Sequence, residues 1–311
     1  MTDGVTVKVD DPVRYFLPPV RRGPESTIRM ADYQSWGPKD LDLAPALRNN
    51  RGVKPDGSPV RVCLLDTGKG VHKDLPAPVD YFNPTRYGDN DRQGHQTHTK
   101  GTIFEYAPGI AFYEAKGLGD DGGGTDIDLA KCIDWATANE CDIISASWGG
   151  GYSKLIHDAF KRFTAVRSNG RRGIAIVAAG NSGSRGVDSP GILFETIATA
   201  AYDRNRRAAG FSSIGPEVDW ALPGVGIYST IPGDRYASWD GTSMATPAGA
   251  GVMSLYVGTH WDDEWAFDVR YIRKFIEKNA TDIENPGRDN KTGFGIPKPG
   301  QFAPDTTYWM F

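Results

Sequence analysis

Three short segments of the sequence each place a reactive side chain among small neighbours. They are Asp66-Thr67-Gly68, Gly94-His95-Gln96-Thr97-His98-Thr99-Lys100-Gly101-Thr102 and Gly241-Thr242-Ser243-Met244-Ala245-Thr246-Pro247. A carboxylate, an imidazole and a hydroxyl are the groups that together activate a serine for attack on a carbonyl carbon. One such segment alone arises easily by chance, so the weight of the pattern lies in the joint occurrence of all three.

Taken together, the segments resemble the subtilisin family of serine proteases, whose triad residues follow one another along the chain in the order Asp, His, Ser. The likeness extends from about residue 44 to residue 294. It includes further blocks in register, namely Ser147-Trp148-Gly149-Gly150, Ala179-Gly180-Asn181-Ser182-Gly183 and Phe211-Ser212-Ser213-Ile214-Gly215-Pro216. The resemblance implies a three-layer subtilisin fold of the α/β class and hydrolysis of internal peptide bonds through an acyl-enzyme.

The resemblance also implies a role for each reactive residue. His95 accepts the proton of Ser243 and later delivers it to the leaving amine, because a serine hydroxyl is a weak nucleophile. Asp66 stays ionised and holds His95 in the required tautomer. Asn181 donates its side-chain amide to the oxyanion, beside the backbone N–H of Ser243. In isolation Asp66 could simply end a strand and Asn181 could be an ordinary loop residue, but the joint match favours catalysis.

Two glycine-containing segments are expected to hold an extended substrate by strand pairing, since glycine lets two backbones approach closely. The expected substrate-binding residues are Gly122, Gly123, Gly124, Ser147, Trp148, Gly149, Ala179, Gly180 and Asp188. Asp188 aligns with a position at the bottom of the primary specificity pocket of relatives, where a carboxylate favours Lys or Arg in the substrate. A flexible turn at 122–124 and a solvated loop carboxylate at Asp188 stay open as alternatives.

The rest of the sequence predicts the elements that position these residues. Short apolar runs of strand length alternate with segments of helical spacing. The predicted strands are 60–65, 110–115, 142–147, 174–179, 196–200 and 218–221, and the predicted helices are 126–139 and 154–169, the latter stopping at Asn169-Gly170. Nearly continuous apolar strands indicate a mainly parallel twisted sheet with helices on both faces, and ligands bind beyond the carboxyl ends of such strands. Asp66 follows the first of these runs.

We expect one catalytic domain, residues 31–302, flanked by an N-terminal arm, residues 1–30, and a C-terminal tail, residues 303–311, that docks on the body. The arm contains Leu17-Pro18-Pro19 and Arg21-Arg22, which predict extended chain rather than a packed element. It resembles the short proline-containing extension of intracellular subtilisins, which lies across the active site. We therefore expect the arm to inhibit in cis and to be released by cleavage after Arg21 or Arg22.

The composition gives no support for nucleic acid or a membrane as a partner. The chain has 311 residues, a net charge of -4 and no basic stripe, so nothing favours nucleic acid or an anionic membrane. It has no signal-peptide pattern and no window of about 18 apolar residues, which predicts a cytoplasmic protein. Association with a virion or another assembly stays open. Cys63, Cys132 and Cys141 are expected to be free, buried thiols.

No cofactor or metal is expected to be required. Many relatives wrap a tightly bound calcium in an insertion after the histidine segment, but here that segment runs almost directly into Ala107-Pro108-Gly109, so the site is expected to be absent. Weaker calcium binding stays open. The acidic turns at 89–91 and 120–121 lack a sufficient ligand set and are expected to be solvated. A metal pair of His95 and His98 is rejected for want of further ligands, and His98 is expected to be a packed structural residue.

Two other functions stay open from the sequence alone. The first is a dedicated processing protease that cuts one partner within an assembly. The second is a catalytically silent pseudoprotease that keeps the peptide-binding groove, although the intact set of Asp66, His95, Asn181 and Ser243 argues against it. A dedicated processing protease cuts denatured proteins at few sites, whereas a general protease cuts them broadly, so the breadth of cleavage separates the two.

Overall fold

A computed structural model describes residues 11–30 and 35–302. Its strands are β1 (Arg14–Phe16), β2 (Arg21–Ser26), β3 (Arg61–Asp66), β4 (Asp80–Phe82), β5 (Ala111–Lys116), β6 (Gly123–Thr125), β7 (Ile143–Ala146), β8 (Gly149–Gly150), β9 (Ile174–Ala178), β10 (Thr196–Tyr202), β11 (Val218–Pro223), β12 (Ile227–Ile231), β13 (Arg235–Asp240), β14 (Ala280–Thr281) and β15 (Ile296–Pro297). Its α-helices are α1 (Trp36–Asp40), α2 (Ala44–Asn49), α3 (His95–Tyr106), α4 (Asp126–Ala138), α5 (Lys154–Thr164), α6 (Thr242–Thr259) and α7 (Val269–Lys278).

Seven strands form a parallel sheet in the order β11-β10-β9-β7-β3-β5-β4. Successive side chains of β3 point to opposite faces, as the pleat requires. Val62 and Leu64 pack in the core that contains residues of α3 and α6, whereas Cys63 and Leu65 pack in the core that contains residues of α4 and α5. Helices cover both faces, so the predicted three-layer α/β fold with a parallel sheet is confirmed.

The predicted end of the fifth helix is wrong. Helix α5 ends at Thr164, because Ala165 takes an extended conformation with φ -71° and ψ 160°. The Asn169-Gly170 pair lies in a turn further along, where the Arg167 N–H donates to the Arg171 carbonyl at 2.8 Å. The apolar periodicity therefore stops when the chain turns back toward β9, five residues before the predicted stop.

The N-terminal arm is extended, as its prolines predict, but the expectation that it is not packed is wrong. Strand β1 pairs antiparallel with both β6 and β8, and β2 pairs antiparallel with β13. The Tyr15 side chain is fully buried and meets the Trp148 ring edge-on at 5.3 Å. A bulky aromatic residue next to two open strand edges supplies the packing that the proline content alone did not indicate. The predicted tail, residues 303–311, and the first residues of the predicted catalytic domain, 31–34, lie outside the described residues.

Cys63, Cys132 and Cys141 are buried free thiols, as predicted. Within residues 11–30 and 35–302, no helix has the length and apolar character needed to cross a bilayer.

Candidate active site

The end of a strand and the start of a helix bring Asp66 and His95 together. Asp66 is the last residue of β3 and His95 is the first residue of α3. Both carboxylate oxygens of Asp66 lie 2.8 Å from His95 Nδ1. The Thr67 N–H donates to the same carboxylate at 2.8 Å. An ionised carboxylate only accepts hydrogen bonds, so this contact places the proton on Nδ1 and leaves Nε2 as the free basic nitrogen.

Ser243 lies in the first turn of α6, which packs beside α3. Its hydroxyl donates to the Ser147 carbonyl at 3.0 Å, and the Ser147 hydroxyl donates in return to the Ser243 carbonyl at 3.1 Å. His95 Nε2 is buried and has no hydrogen-bond partner among the described residues. The serine hydroxyl and the free ring nitrogen are therefore both present, but the structure has no hydrogen bond between them.

Thr242, the first residue of α6, orients the side-chain amide of Asn181. Asn181 Oδ1 accepts hydrogen bonds from the Thr242 N–H at 2.9 Å and from the Thr242 hydroxyl at 2.7 Å. The NH2 end of the amide is thereby left to face the arm, where it donates to the Pro19 carbonyl at 2.8 Å. A peptide carbonyl of the chain itself thus occupies the position to which Asn181 donates.

The two glycine-containing segments form the walls of a groove, and β1 of the arm lies between them. Tyr15 pairs with Gly124 on one wall and with Gly150 on the other. The Leu17 N–H adds a hydrogen bond to the Gly122 carbonyl at 3.0 Å. A Cβ on Gly150 would lie 2.8 Å from the Arg14 carbonyl, so the close approach of this strand requires glycine there.

The other predicted groove residues contribute in different ways. The Trp148 side chain is buried in the core, and its Nε1–H donates to the Leu65 carbonyl at 2.8 Å. The Ala179 side chain is also in the core, and its carbonyl accepts the Asp188 N–H at 3.0 Å. Trp148 therefore forms the base on which Tyr15 rests, whereas Ala179 meets the groove only through its backbone.

Asp188 lies between the glycines of two neighbouring segments. A Cβ on Gly180 would lie 2.4 Å from the Asp188 carboxylate, and a Cβ on Gly149 would lie 3.2 Å from it. Burial raises the pKa of Asp188, and its carboxylate has no ion-pair partner in the described part of the chain. It is therefore half-desolvated, not the freely solvated loop residue of the alternative interpretation.

Asp91 is a site residue that the sequence did not single out, and the expectation that it belongs to a solvated turn is wrong. It is only 5% exposed. Asp91 Oδ1 accepts from the Gly94 N–H at 2.7 Å and from the Thr67 hydroxyl at 2.8 Å. Asp91 Oδ2 accepts from the Thr97 N–H at 2.8 Å and the Thr97 hydroxyl at 2.7 Å. One carboxylate thus joins the residue after Asp66 to the first turn of α3.

The signal for Asp91 was local. Helix α3 begins after Gly94, which has no side chain to cap the free N–H groups of the first turn. A carboxylate a few residues upstream can accept hydrogen bonds from these N–H groups instead. Its negative charge is also stabilised by the positive end of the helix dipole. The second acidic turn is also less solvated than expected, because Asp120 accepts from the buried Lys116 ammonium at 2.9 Å.

His98 is a packed structural residue, as expected. Its ring stacks on Trp239 at 4.4 Å with an interplanar angle of 5°, and its Nε2 lies 3.1 Å from the Ala237 carbonyl. Burial lowers the pKa of His98 to about 3, which keeps the ring neutral. Among the described residues, no group of three or more His, Cys, Asp or Glu side chains is arranged to hold a metal ion.

We expect Asp91→Ala to lower the free energy of unfolding by about 3 kcal/mol, because it leaves several buried donors without an acceptor. The matched control is Asp89→Ala, which removes an exposed carboxylate two residues away and is expected to cost less than about 1 kcal/mol. Urea unfolding of the two variants and the wild type measures the difference. Equal stability of Asp91→Ala and Asp89→Ala would contradict the assigned role.

Comparison with known proteins agrees with this geometry. The chain matches the model of the subtilase family over residues 57–295. It is 35% identical to the thermostable alkaline protease of Halalkalibacterium halodurans over 263 residues, which is 81% of this chain and 69% of that protein. It is 35% identical to subtilisin BL of Lederbergia lenta over 274 residues, 84% of this chain and 95% of that protein. It is 35% identical to the M-protease of Shouchella clausii over 278 residues, 86% of this chain and 69% of that protein.

The family match begins after the arm and contains Asp66, His95, Asn181 and Ser243. Hydrolysis of peptide bonds by a serine nucleophile is the activity that this family and these relatives share. The chain belongs to the subtilase family and is a serine endopeptidase.

Proposed function

We propose that Ser243, His95, Asp66 and Asn181 carry out acyl transfer in this endopeptidase. The observation that carries the proposal is the hydrogen bond from Asn181 Nδ2 to the Pro19 carbonyl, next to the Asp66–His95 pair. It is the contact that an oxyanion hole makes with the carbonyl under attack. Strand β1 of the arm lies in the groove between β6 and β8 and leads to this contact.

The chemical steps follow from the positions of the donors and acceptors. Ser243 Oγ attacks the substrate carbonyl carbon while His95 Nε2 takes its proton, and the oxyanion receives hydrogen bonds from Asn181 Nδ2 and the Ser243 N–H. The C–N bond then breaks, and the imidazolium gives its proton to the leaving amine. Water, deprotonated by His95, hydrolyses the acyl-enzyme and regenerates the hydroxyl of Ser243. Asp66 stabilises the imidazolium in both halves of the reaction.

The arm, in this proposal, inhibits the enzyme in cis. It occupies the edges of β6 and β8 that a substrate strand would need, and with the arm in place the side chains of His95 and Ser243 are fully buried. The Ser243 hydroxyl must leave the Ser147 carbonyl to reach His95 Nε2. A cavity of about 250 Å³ is lined by Leu17 and Pro18 of the arm and by His95.

Release of the arm requires more than access to its arginines. The side chains of Arg21 and Arg22 are exposed, but their backbone belongs to β2 and is paired with Asp240 and Trp239. A protease binds its substrate as an extended strand with free backbone groups. Cleavage after Arg21 or Arg22, as the sequence predicts, therefore requires local separation of β2 from β13.

Asp188 is proposed to select Lys or Arg at the residue before the cleaved bond. A carboxylate that is partly desolvated and unpaired gains most from a cationic partner, and burial has already raised its pKa. The arm offers proline at this place instead of a cation, since Pro19 is the residue whose carbonyl Asn181 holds. The arm thus occupies the groove without giving the Asp188 carboxylate a cationic partner.

We expect Ser243→Ala to lower kcat on a fluorogenic peptide library by at least about 10⁴-fold, since triad residues act as a unit. Ser168→Ala, at an exposed position, is the matched control and is expected to retain wild-type activity. Mass spectrometry of the N-terminus in both proteins shows whether trimming of the arm depends on Ser243. Residual turnover of Ser243→Ala within tenfold of the wild type would contradict the proposed nucleophile.

We expect Tyr15→Ala to raise the activity of the intact chain at least tenfold, because truncating a fully buried aromatic side chain weakens arm binding by about 3 kcal/mol. Phe16→Ala is the matched control, since the Phe16 side chain is 52% exposed. Initial rates are measured on protein whose intact mass shows that the arm is still attached. Unchanged activity in Tyr15→Ala, and in a chain lacking residues 1–22, would refute inhibition by the arm.

We expect Asp188→Asn to lower kcat/KM for a peptide with Arg before the cleaved bond by about ten- to a hundredfold, because it removes the charge partner. The same peptide with citrulline, a neutral isostere of arginine, should change little. In the wild type, the preference for Arg over citrulline should be lost as the pH falls through the raised pKa of Asp188, because the protonated carboxyl no longer attracts a cation. A wild-type preference for large apolar residues over Arg would contradict the role of Asp188.

A further inference from the structure

The arm continues past the Asn181 contact as a strand on a second surface. After Pro19 it becomes β2, which pairs with β13 through Arg21 opposite Asp240 and Arg22 opposite Trp239. Counting from the carbonyl that Asn181 holds, Arg22 is the third residue after the bond that the groove presents. Without β2, the edge of β13 would carry unpaired backbone groups that a peptide strand satisfies readily.

The indole of Trp239 contacts both a neutral histidine ring and a guanidinium. His98 stacks flat on the ring at 4.4 Å, and His98 itself is fixed by the Ala237 carbonyl. The guanidinium of Arg22 lies over the Trp239 ring at 4.4 Å from its centroid. Tryptophan gives the strongest cation–π attraction of the aromatic residues, and a rigid ring offers it at a low entropic cost. The Arg22 side chain forms no ion pair with any described residue, so the ring is its principal partner.

The position after the arginine is also restricted. A Cβ on Gly23 would lie 2.6 Å from the Ser238 carbonyl, at the place where the register of β2 against β13 shifts. A substrate strand that follows the same path needs glycine there, or it must move away from β13. The surface therefore fits an arginine followed by glycine.

We propose that the edge of β13 is an extended binding site for the part of the substrate that follows the cleaved bond, and that Trp239 selects arginine at the third position of that part. The preferred polypeptide substrates then carry Arg-Gly at the third and fourth positions after the bond. This inference rests on the proposed function, because it takes the Asn181 contact as the mark of the cleaved bond. It assigns Trp239 a specificity role separate from that of Asp188.

The test uses competing peptides with the intact enzyme. A parent peptide that the enzyme cuts at one known bond receives Arg, Lys, citrulline or Ala at the third position after the bond, with glycine fourth. Two peptides are mixed and the ratio of their kcat/KM values is read by mass spectrometry. This ratio does not depend on how much enzyme the arm covers, because the arm reduces both rates equally. A peptide with Arg at the second position is the matched control for position.

The wild type should prefer Arg to Ala at the third position by about two- to fivefold, the range expected for an exposed cation–π contact. Trp239→Leu should abolish the preference and Trp239→Tyr should retain part of it. Equal rates for Arg and Ala, or a preference that survives Trp239→Leu, would overturn the inference alone. Cleavage that survives Ser243→Ala would instead overturn the proposed function.

A second measurement covers the case in which Trp239→Leu does not fold. In the intact chain, Arg22→Ala removes the cation from the arm's own contact with Trp239 and should raise basal activity about two- to fivefold. Arg21→Ala is the matched control, because no aromatic ring lies under the Arg21 guanidinium in the described part of the chain. An equal response of the two variants would overturn the selection of arginine by Trp239.

Discussion

The hydrogen bond between Asp66 and His95 is the contact on which the proposed chemistry of the site depends, because it places the proton on Nδ1 and leaves Nε2 without one. Two elements that are 29 residues apart in sequence must meet for it to form. The parallel sheet delivers Asp66 at the carboxyl end of β3. The carboxylate of Asp91 then joins the Asp66 segment to the start of α3 and replaces the cap that Gly94 cannot provide.

In the proposed function, the same groove accounts for both the peptidase activity and its inhibition by the arm. Glycine residues on β6 and β8 let a strand lie between them and pair with both. In this structure residues 14–16 of the chain itself form that strand. Tyr15 provides the buried anchor and Asn181 holds a carbonyl of the prolines, while β2 extends the pairing onto β13. The arm therefore displays a mode of binding along the whole groove. In the proposed function, it differs from a preferred substrate at Pro19, which offers Asp188 no cationic partner.

Sequence reasoning recovered the sheet because its strands are nearly continuous apolar runs, a pattern that few other structures share. It singled out Asp66, His95, Asn181 and Ser243 as candidate site residues because their motifs are local and specific. It missed the role of Asp91, since an acidic residue in a polar turn gives no sign of burial until the folded partners are known. It also misjudged the arm, because the burial of Tyr15 depends on edges contributed by residues more than a hundred positions away.

The end of α5 also could not be predicted from the local sequence. Local signals favoured a stop at Asn169-Gly170, but the turn toward β9 ended the helix at Thr164. Tertiary contacts decided the boundary, as they decided the burial of Asp91 and Tyr15. Motifs with chemical meaning are thus read from short stretches of sequence, whereas the packing that supports them is not.

The central claim is that an activated serine lies beneath the arm, and covalent labelling tests it most directly. A fluorophosphonate probe reacts with a serine whose proton a neighbouring base removes, forming an O–P bond and releasing fluoride. The account predicts one adduct, mapped by mass spectrometry to Ser243, absent in His95→Ala and formed faster when Tyr15 is replaced by alanine. No adduct on Ser243 in a chain whose arm has been removed, or an adduct that persists in His95→Ala, would contradict the account.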